Sequence, residues 1–232
     1  MKPKSKKHIF MKKLLFVPTA LLIGLASCNS SPDAHQAEVS EAVSVDSGTA
    51  QGDAYQVNVE ESTIDWVGSK PVGSGHHGTI KIKNGFVNVN TDNQITGGEF
   101  VIDMNSIANA DLTNAEEKAK LEGHLKSADF FEVEKYPEAK FVITGVTAAT
   151  DADKQKFKDA THVVSGNFNM KDQTHNISIP TNVSVQNNAL TATSEFNIDR
   201  TQWNVNYQSD ASIRDKFINK EINLKLNLKA AK

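Results

Sequence analysis

Cys28 is the only cysteine among the 232 residues. A lone cysteine closes no internal disulfide, and no second thiol is present to share a metal. Long apolar runs are missing as well. The run Leu14–Ala26, LLFVPTALLIGLA, has 13 residues and contains Pro18. A membrane-spanning helix needs roughly 20. Catalytic signatures are also lacking: there is no nucleophile elbow, no His-x-x-x-His pair and no pair of acids at a catalytic spacing. A basic surface is absent too. The net charge is −3, and six of the 25 basic residues lie in the first 28 positions, which hold no acid. The remaining 19 face 28 acidic residues, so no nucleic-acid partner is expected.

What is present begins with that basic start. Lysines followed by a short apolar run read as a secretory signal. The run ends in Leu25-Ala26-Ser27-Cys28, which has the form of a bacterial lipobox. This form implies cleavage before Cys28, a thioether lipid on it, and a membrane-anchored protein of the bacterial cell envelope. Residues 1–27 are then a signal peptide. Asn29–Asp53 is rich in Ser, Ala, Gly and acids and has no aromatic residue. Such a composition buries too little surface to offset ordering, so residues 28–53 read as a lipidated cysteine on a flexible tether. A chain of that length reaches about 25–30 Å.

Alternation sets in at Ala54, and residues 54–232 read as one domain. Tyr55, Val57, Val59, then Ile64 and Trp66, predict one or two strands about a Glu60-Glu61-Ser62 turn. Ile80 and Ile82 alternate with lysines, and Asn84-Gly85 predicts a hairpin turn. Phe100, Ile102 and Met104 mark another strand. Four more are expected at 140–147, 162–170, 175–185 and 190–198, with Asn187-Asn188 as a hairpin tip. The last strand carries Ile222, Leu224, Leu226 and Leu228 on one face and Asn or Lys on the other. One buried and one wet face is the mark of antiparallel sheet. A helix is expected over about Thr113–Ser127, with Leu121 and Leu125 toward the sheet, and a short one over Ala211–Phe217. The sum is a mainly β fold: a closed or nearly closed antiparallel barrel of about eight strands with one helical excursion.

The stretch Leu125–Phe141, LKSADFFEVEKYPEAKF, stands out. Pro137 ends any helix before it, and Phe130-Phe131 must fold over something apolar. The corner either plugs a core or covers one end of a cavity. Its pattern also carries a resemblance. The run His124-Leu125-Lys126-Ser127, Asp129-Phe130-Phe131, Glu134-Lys135-Tyr136-Pro137 and Phe141 resembles the signature of the YceI-like family. Gly97-Gly98-Glu99-Phe100, Ile102-Asp103-Met104, Ile198-Asp199-Arg200 and Trp203 extend the similarity from about Tyr55 to Lys229. The resemblance implies an extended lipocalin-like barrel that holds a polyisoprenoid chain in an apolar pore, and it makes a homodimer reasonable.

The inward rows are therefore candidates for the ligand lining: Phe100, Ile102, Phe141, Phe168, Phe196, Leu224 and Leu226, with Phe130 and Phe131 near one end. Sequence leaves open whether these side chains fill the barrel or surround a hollow. Candidates for the ligand's head group are His76 and His77 in the stretch Gly73-Ser74-Gly75-His76-His77-Gly78, and Arg200, whose planar fork suits a phosphate or carboxylate. Arg200 is equally suited to bracing the barrel rim. The glycine stretch is read as a loop, neither a P-loop nor a dinucleotide fingerprint. Adjacent strand histidines point to opposite faces, so no metal site is expected. No cofactor is required, and the ligand that the resemblance implies is an isoprenoid or quinone-like lipid. Two alternatives stay open: a structural lipoprotein with a filled barrel, and an enzyme acting on envelope lipids.

Overall fold

Period-two alternation becomes sheet along most of the chain. The structure, a computed structural model, describes residues 34–45, 51–71, 75–210, 212 and 217–232. Its strands are β1 Glu38–Glu41, β2 Asp53–Val57, β3 Thr63–Gly68, β4 His76–Val89, β5 Ile95–Asn109, β6 Glu138–Ala148, β7 His162–Met170, β8 Gln173–Gln186, β9 Ala189–Asp199 and β10 Glu221–Ala231. Helix α1 spans Ala115–Lys126, α2 spans Asp151–Lys156, and a 3-10 turn spans Arg200–Trp203. Cys28 and the proposed signal peptide lie outside the described residues, as does most of the short helix expected over Ala211–Phe217.

The sheet closes on itself. Antiparallel pairing runs β8–β7–β6–β5–β4, passes through β2 and β3 to β10, and returns through β9 to β8. Strands β2 and β3 together make one interrupted stave, since both lie between β4 and β10. The break is the expected turn: the Asn58 side chain accepts from the amides of Glu60 and Glu61. The barrel thus has eight staves, each paired with a neighbour on both sides.

Asn84-Gly85 is not a hairpin turn. Strand β4 runs through it, and the register to β5 shifts between Ile82 and Asn84. The extra residue is a β-bulge, which flips the inward parity from Ile80 and Ile82 to Val87 and Val89. The real turn follows β4, where Asn90 Oδ1 accepts from the amides of Asp92 and Gln94 and Asn93 adopts φ 61°. The Asn187-Asn188 tip is as expected, with both residues at positive φ. The glycine stretch also departs from the loop reading. It spells G-x-G-x-x-G, but His76 to Gly78 open strand β4 instead of a helix, so the helix end on which a dinucleotide fingerprint depends is missing.

The tether reading fails for residues 34–45. Strands β8 and β9 part company beyond the pair Asn182–Thr193, and the amino-terminal segment enters the gap. Strand β1 pairs with β8 from Ser178 to His175. On its other side, the Ala37 amide donates to the Asn197 carbonyl at 2.8 Å, and the Asn197 amide donates to the His35 carbonyl at 2.8 Å. Ala37 is buried in the core. Weak hydrophobicity concealed this strap, because its stability comes from backbone pairing against a ready-made slot. The strap also corrects the wet face of the last strand. Asn223 is only 3% exposed and donates to Asn197 Oδ1, because the strap covers that side of β9.

Helix α1 begins at Ala115, two residues later than expected, where Asn114 caps the amides of Glu116 and Glu117. Helix α2 was not anticipated. Its signal is a capping box, Thr150 with Asp153, in which Asp takes the place of the commoner Glu or Gln.

Candidate functional site

The inward rows do not fill the barrel. Two apolar chambers lie along it, of about 170 Å³ and about 120 Å³. Both are lined by Ile64, Ile102, Phe168 and Leu224, which form a shared waist. An apolar cavity of about 150 Å³ stays dry and takes a benzene-sized guest. Each chamber therefore suits a short length of hydrocarbon, and a long tail needs both.

The first chamber lies among α1, Ser69, Lys70 and Gly75 before β4, and Arg200, Ile218 and Asn219 after β9. Phe130 and Phe131 roof it together with Leu121 and Leu125 of α1. Phe130 packs with His124 at 5.1 Å and Tyr207 at 5.0 Å between ring centroids. Lys171, at the tip of the β7–β8 hairpin, donates to the Phe130 carbonyl at 2.6 Å and fastens this roof. Burial pushes that ammonium's pKa down. The corner therefore covers one end of a cavity. The second chamber holds Phe100 and Phe141, stacked at 6.2 Å, with Phe196, Leu226 and Ile177. Gly166 lets the Phe141 ring lie flat on β7, since a Cβ there would stand 2.2 Å from it.

Polar groups at the first chamber are few. His76 Nδ1 bonds Asp111 Oδ2 at 2.9 Å, and the His77 amide donates to Asp111 Oδ1 at 2.9 Å. The pairing of Gly78 with Asn109 brings Asp111 opposite His76. Burial alone would raise the Asp111 pKa. The His77 amide, His76 and Asn109 outweigh it and hold the carboxyl down at about 2. This sets a pH window. Asp111 contributes stability that is complete above 3.8, its ordinary pKa, and is lost as pH falls through about 2. With discount for partial exposure the term is about 1–2 kcal/mol. Urea unfolding at several pH values should show Asp111→Asn costing that much near neutrality and nothing at the acid end. A constant difference would sink the assignment.

The family model for the YceI-like domain matches residues 55–230. The chain belongs to the YceI-like family. Two solved structures share the fold. Burkholderia cenocepacia BcnA aligns with TM-score 0.54 at 17% identity, over 75% of this chain and 99% of that one. A polyisoprenoid binding domain from Saccharophagus degradans, implicated in plant cell wall breakdown, aligns with TM-score 0.53 at 14% identity, over 79% and 98%. No curated protein sequence matches. The strap at residues 34–45 lies outside the matched domain of this YceI-like protein.

All nine apolar candidates from the sequence line a chamber: Phe130 and Phe131 the first, Phe100, Phe141, Phe196 and Leu226 the second, and Ile102, Phe168 and Leu224 both. The head-group candidates diverge. His76 lines the first chamber, whereas His77 lines neither and its side chain is 58% exposed. Arg200 lines the first chamber but is 2% exposed, and its fork is spent on carbonyls. Nε donates to Asn219 at 3.1 Å, Nη2 to Tyr207 and Ile218 at 3.0 Å each, and Nη1 to Val205. Burial pushes its pKa below the ordinary value. Trp203 is fully buried and donates to the Phe168 carbonyl at 3.1 Å. These signature residues brace the rim. Among the described residues no group of His, Cys, Asp and Glu could hold a metal ion.

Sequence reasoning missed Lys70 and Trp66, which line the first chamber, and Asp111, which holds the His76 ring there. Trp66 shares the parity of Ile64, a signal that was available. Lys70 sits in a loop before Pro71 and Asp111 lies 35 residues from His76, so neither has a periodic signal.

Proposed function

We propose that this YceI-like protein binds an isoprenoid-type amphiphile in its barrel and carries it in the bacterial cell envelope, anchored by a lipid on Cys28. One observation carries the reading: two apolar chambers that share Ile64, Ile102, Phe168 and Leu224 in their linings lie where a filled barrel would have packed side chains. The family membership and the polyisoprenoid binding described for the Saccharophagus degradans domain support it. The envelope location rests on the Leu25-Ala26-Ser27-Cys28 lipobox alone, and a homodimer remains part of the proposal.

The energetics fit a carrier. Each buried methylene is worth about 0.8 kcal/mol relative to water. A tail drawn from a membrane is already out of water, so net transfer depends on packing and on the head group. Such a protein loads and unloads without a large gain in either direction.

The test is native mass spectrometry of the full-length protein from its host, followed by organic extraction. A stoichiometric isoprenoid or quinone-like adduct is expected, with acylated Cys28 in the amino-terminal peptide. A mass without adduct, unchanged by incubation with isoprenoid lipids, would overturn the carrier reading in favour of a structural lipoprotein. An unmodified Cys28 would overturn the anchor.

A further inference from the structure

The strap at residues 34–45 fills a gap in the barrel wall. Pairing between β8 and β9 stops at Asn182 and Thr193. The inward side chains that flank the gap beyond this point are apolar. Ile177 and Ile179 of β8 and Phe196 of β9 line the second chamber, and Ile198 of β9 lines the first. Backbone bonds to both strands hold the strap between them.

His35 sits where the strap enters the gap. Its carbonyl accepts from the Asn197 amide, while its Nε2 is buried and has no hydrogen-bond partner among the described residues. A neutral imidazole can leave Nε2 bare. A charged one carries a proton on both nitrogens, so Nε2 would become a buried donor with nothing to receive it. Three charged groups face the ring: Glu38 on the strap, and Asp153 and Lys156 on α2. Lys156 lies 2.8 Å from Glu38 and 3.9 Å from Asp153, so both acids already have a cation. Burial first, and then Lys156, lowers the His35 pKa from its ordinary 6.5, against the pull of Glu38 and Asp153. The docked strap therefore favours the neutral ring, and a released strap takes up the proton in water. Docking is strongest above 6.5 and weakens as pH falls below it.

We infer that the strap is a releasable seal over a side port between β8 and β9, and that protonation of His35 loosens it and quickens exchange of the apolar guest. The port rests on the proposed binding of an isoprenoid-type tail; the release of the strap does not.

Two readouts on the full-length protein separate these parts. Hydrogen exchange of the Ala37 amide, which donates to Asn197, reports the strap. Release of farnesol carrying a fluorescent anthraniloyl group, chased with unlabelled farnesol in mild detergent, reports the port. From about pH 8 to about pH 5, protection of Ala37 relative to barrel amides should fall, and release should quicken, by ~5-fold or more, the lower end of ordinary coupling between sites. His35→Leu and His35→Gln take no proton and should remove both pH responses. Thermal unfolding of each variant checks the fold. Unchanged protection at the acid end, or a fall that survives both substitutions, would overturn the inference. Protection that falls while release stays constant would overturn the port. A probe that never binds would overturn the carrier reading and the port with it, and Ala37 exchange would still decide the release.

Discussion

Arg200→Met is expected to lower unfolding free energy by about 3–5 kcal/mol, the usual cost of breaking a buried charged network. The guanidinium joins four carbonyls from two chain segments, Val205 and Tyr207 on one side and Ile218 and Asn219 on the other. Methionine fills similar volume and donates nothing, so those carbonyls lose their partner. Arg200→Lys should recover only part of the loss, because an ammonium on a flexible stem does not span a planar fork. Denaturant unfolding followed by tryptophan fluorescence measures it, and fully buried Trp203 is a suitable reporter. The result separates two roles. A head-group ligand would lose binding and keep stability; a rim brace loses stability first. A change below about 1 kcal/mol would refute the brace.

Blocking the waist gives the second large effect. Leu224 lines both chambers, on β10 between Phe196 of β9 and Trp66 of β3. Leu224→Trp places an indole where a long tail must pass. Affinity for an isoprenoid long enough to need both chambers should fall ~100-fold, about 2.7 kcal/mol. A short chain that fits the first chamber should bind within a few-fold of the parent. Equal loss for both lengths would mean that the substitution closes the first chamber outright. No loss for either would mean that the tail does not run through the waist. Overpacking typically costs 1–3 kcal/mol of stability, so binding is compared only where the variant is folded.

The barrel was legible because its inward rows are chemically uniform. Leu224 and Leu226 against Lys225, or Phe168 beside Asn167 and Asn169, declare a face without any partner in view. The β4 bulge was legible in principle. The apolar phase slips between Ile82 and Val87, and Asn84-Gly85 attracted a turn reading that the phase slip contradicts. The strap was not legible. Ala37 and Val39 are weak signals, and what orders them is an open edge of β8 that appears only once the barrel exists. The polar rim was half legible. Arg200 was marked correctly as important, but its choice between guest and brace depends on carbonyls up to 19 residues away. Lys70 carried no pattern at all.

The strap also shortens the mooring line. Ala34 is already bonded to Asn197, so a lipid on Cys28 would be joined to the barrel by only the five residues from Asn29 to Asp33. Fully extended, the Cys28–Ala34 interval covers about 20 Å. With Cys28 acylated as proposed, the freely roaming bead on a string that composition suggests becomes a vessel berthed close against the bilayer. The segment lies parallel to β9 at the Gln36–Asn197 bridge and so runs toward the rim at Arg200. With Cys28 acylated as proposed, the hull drifts no farther from its membrane than that short line allows.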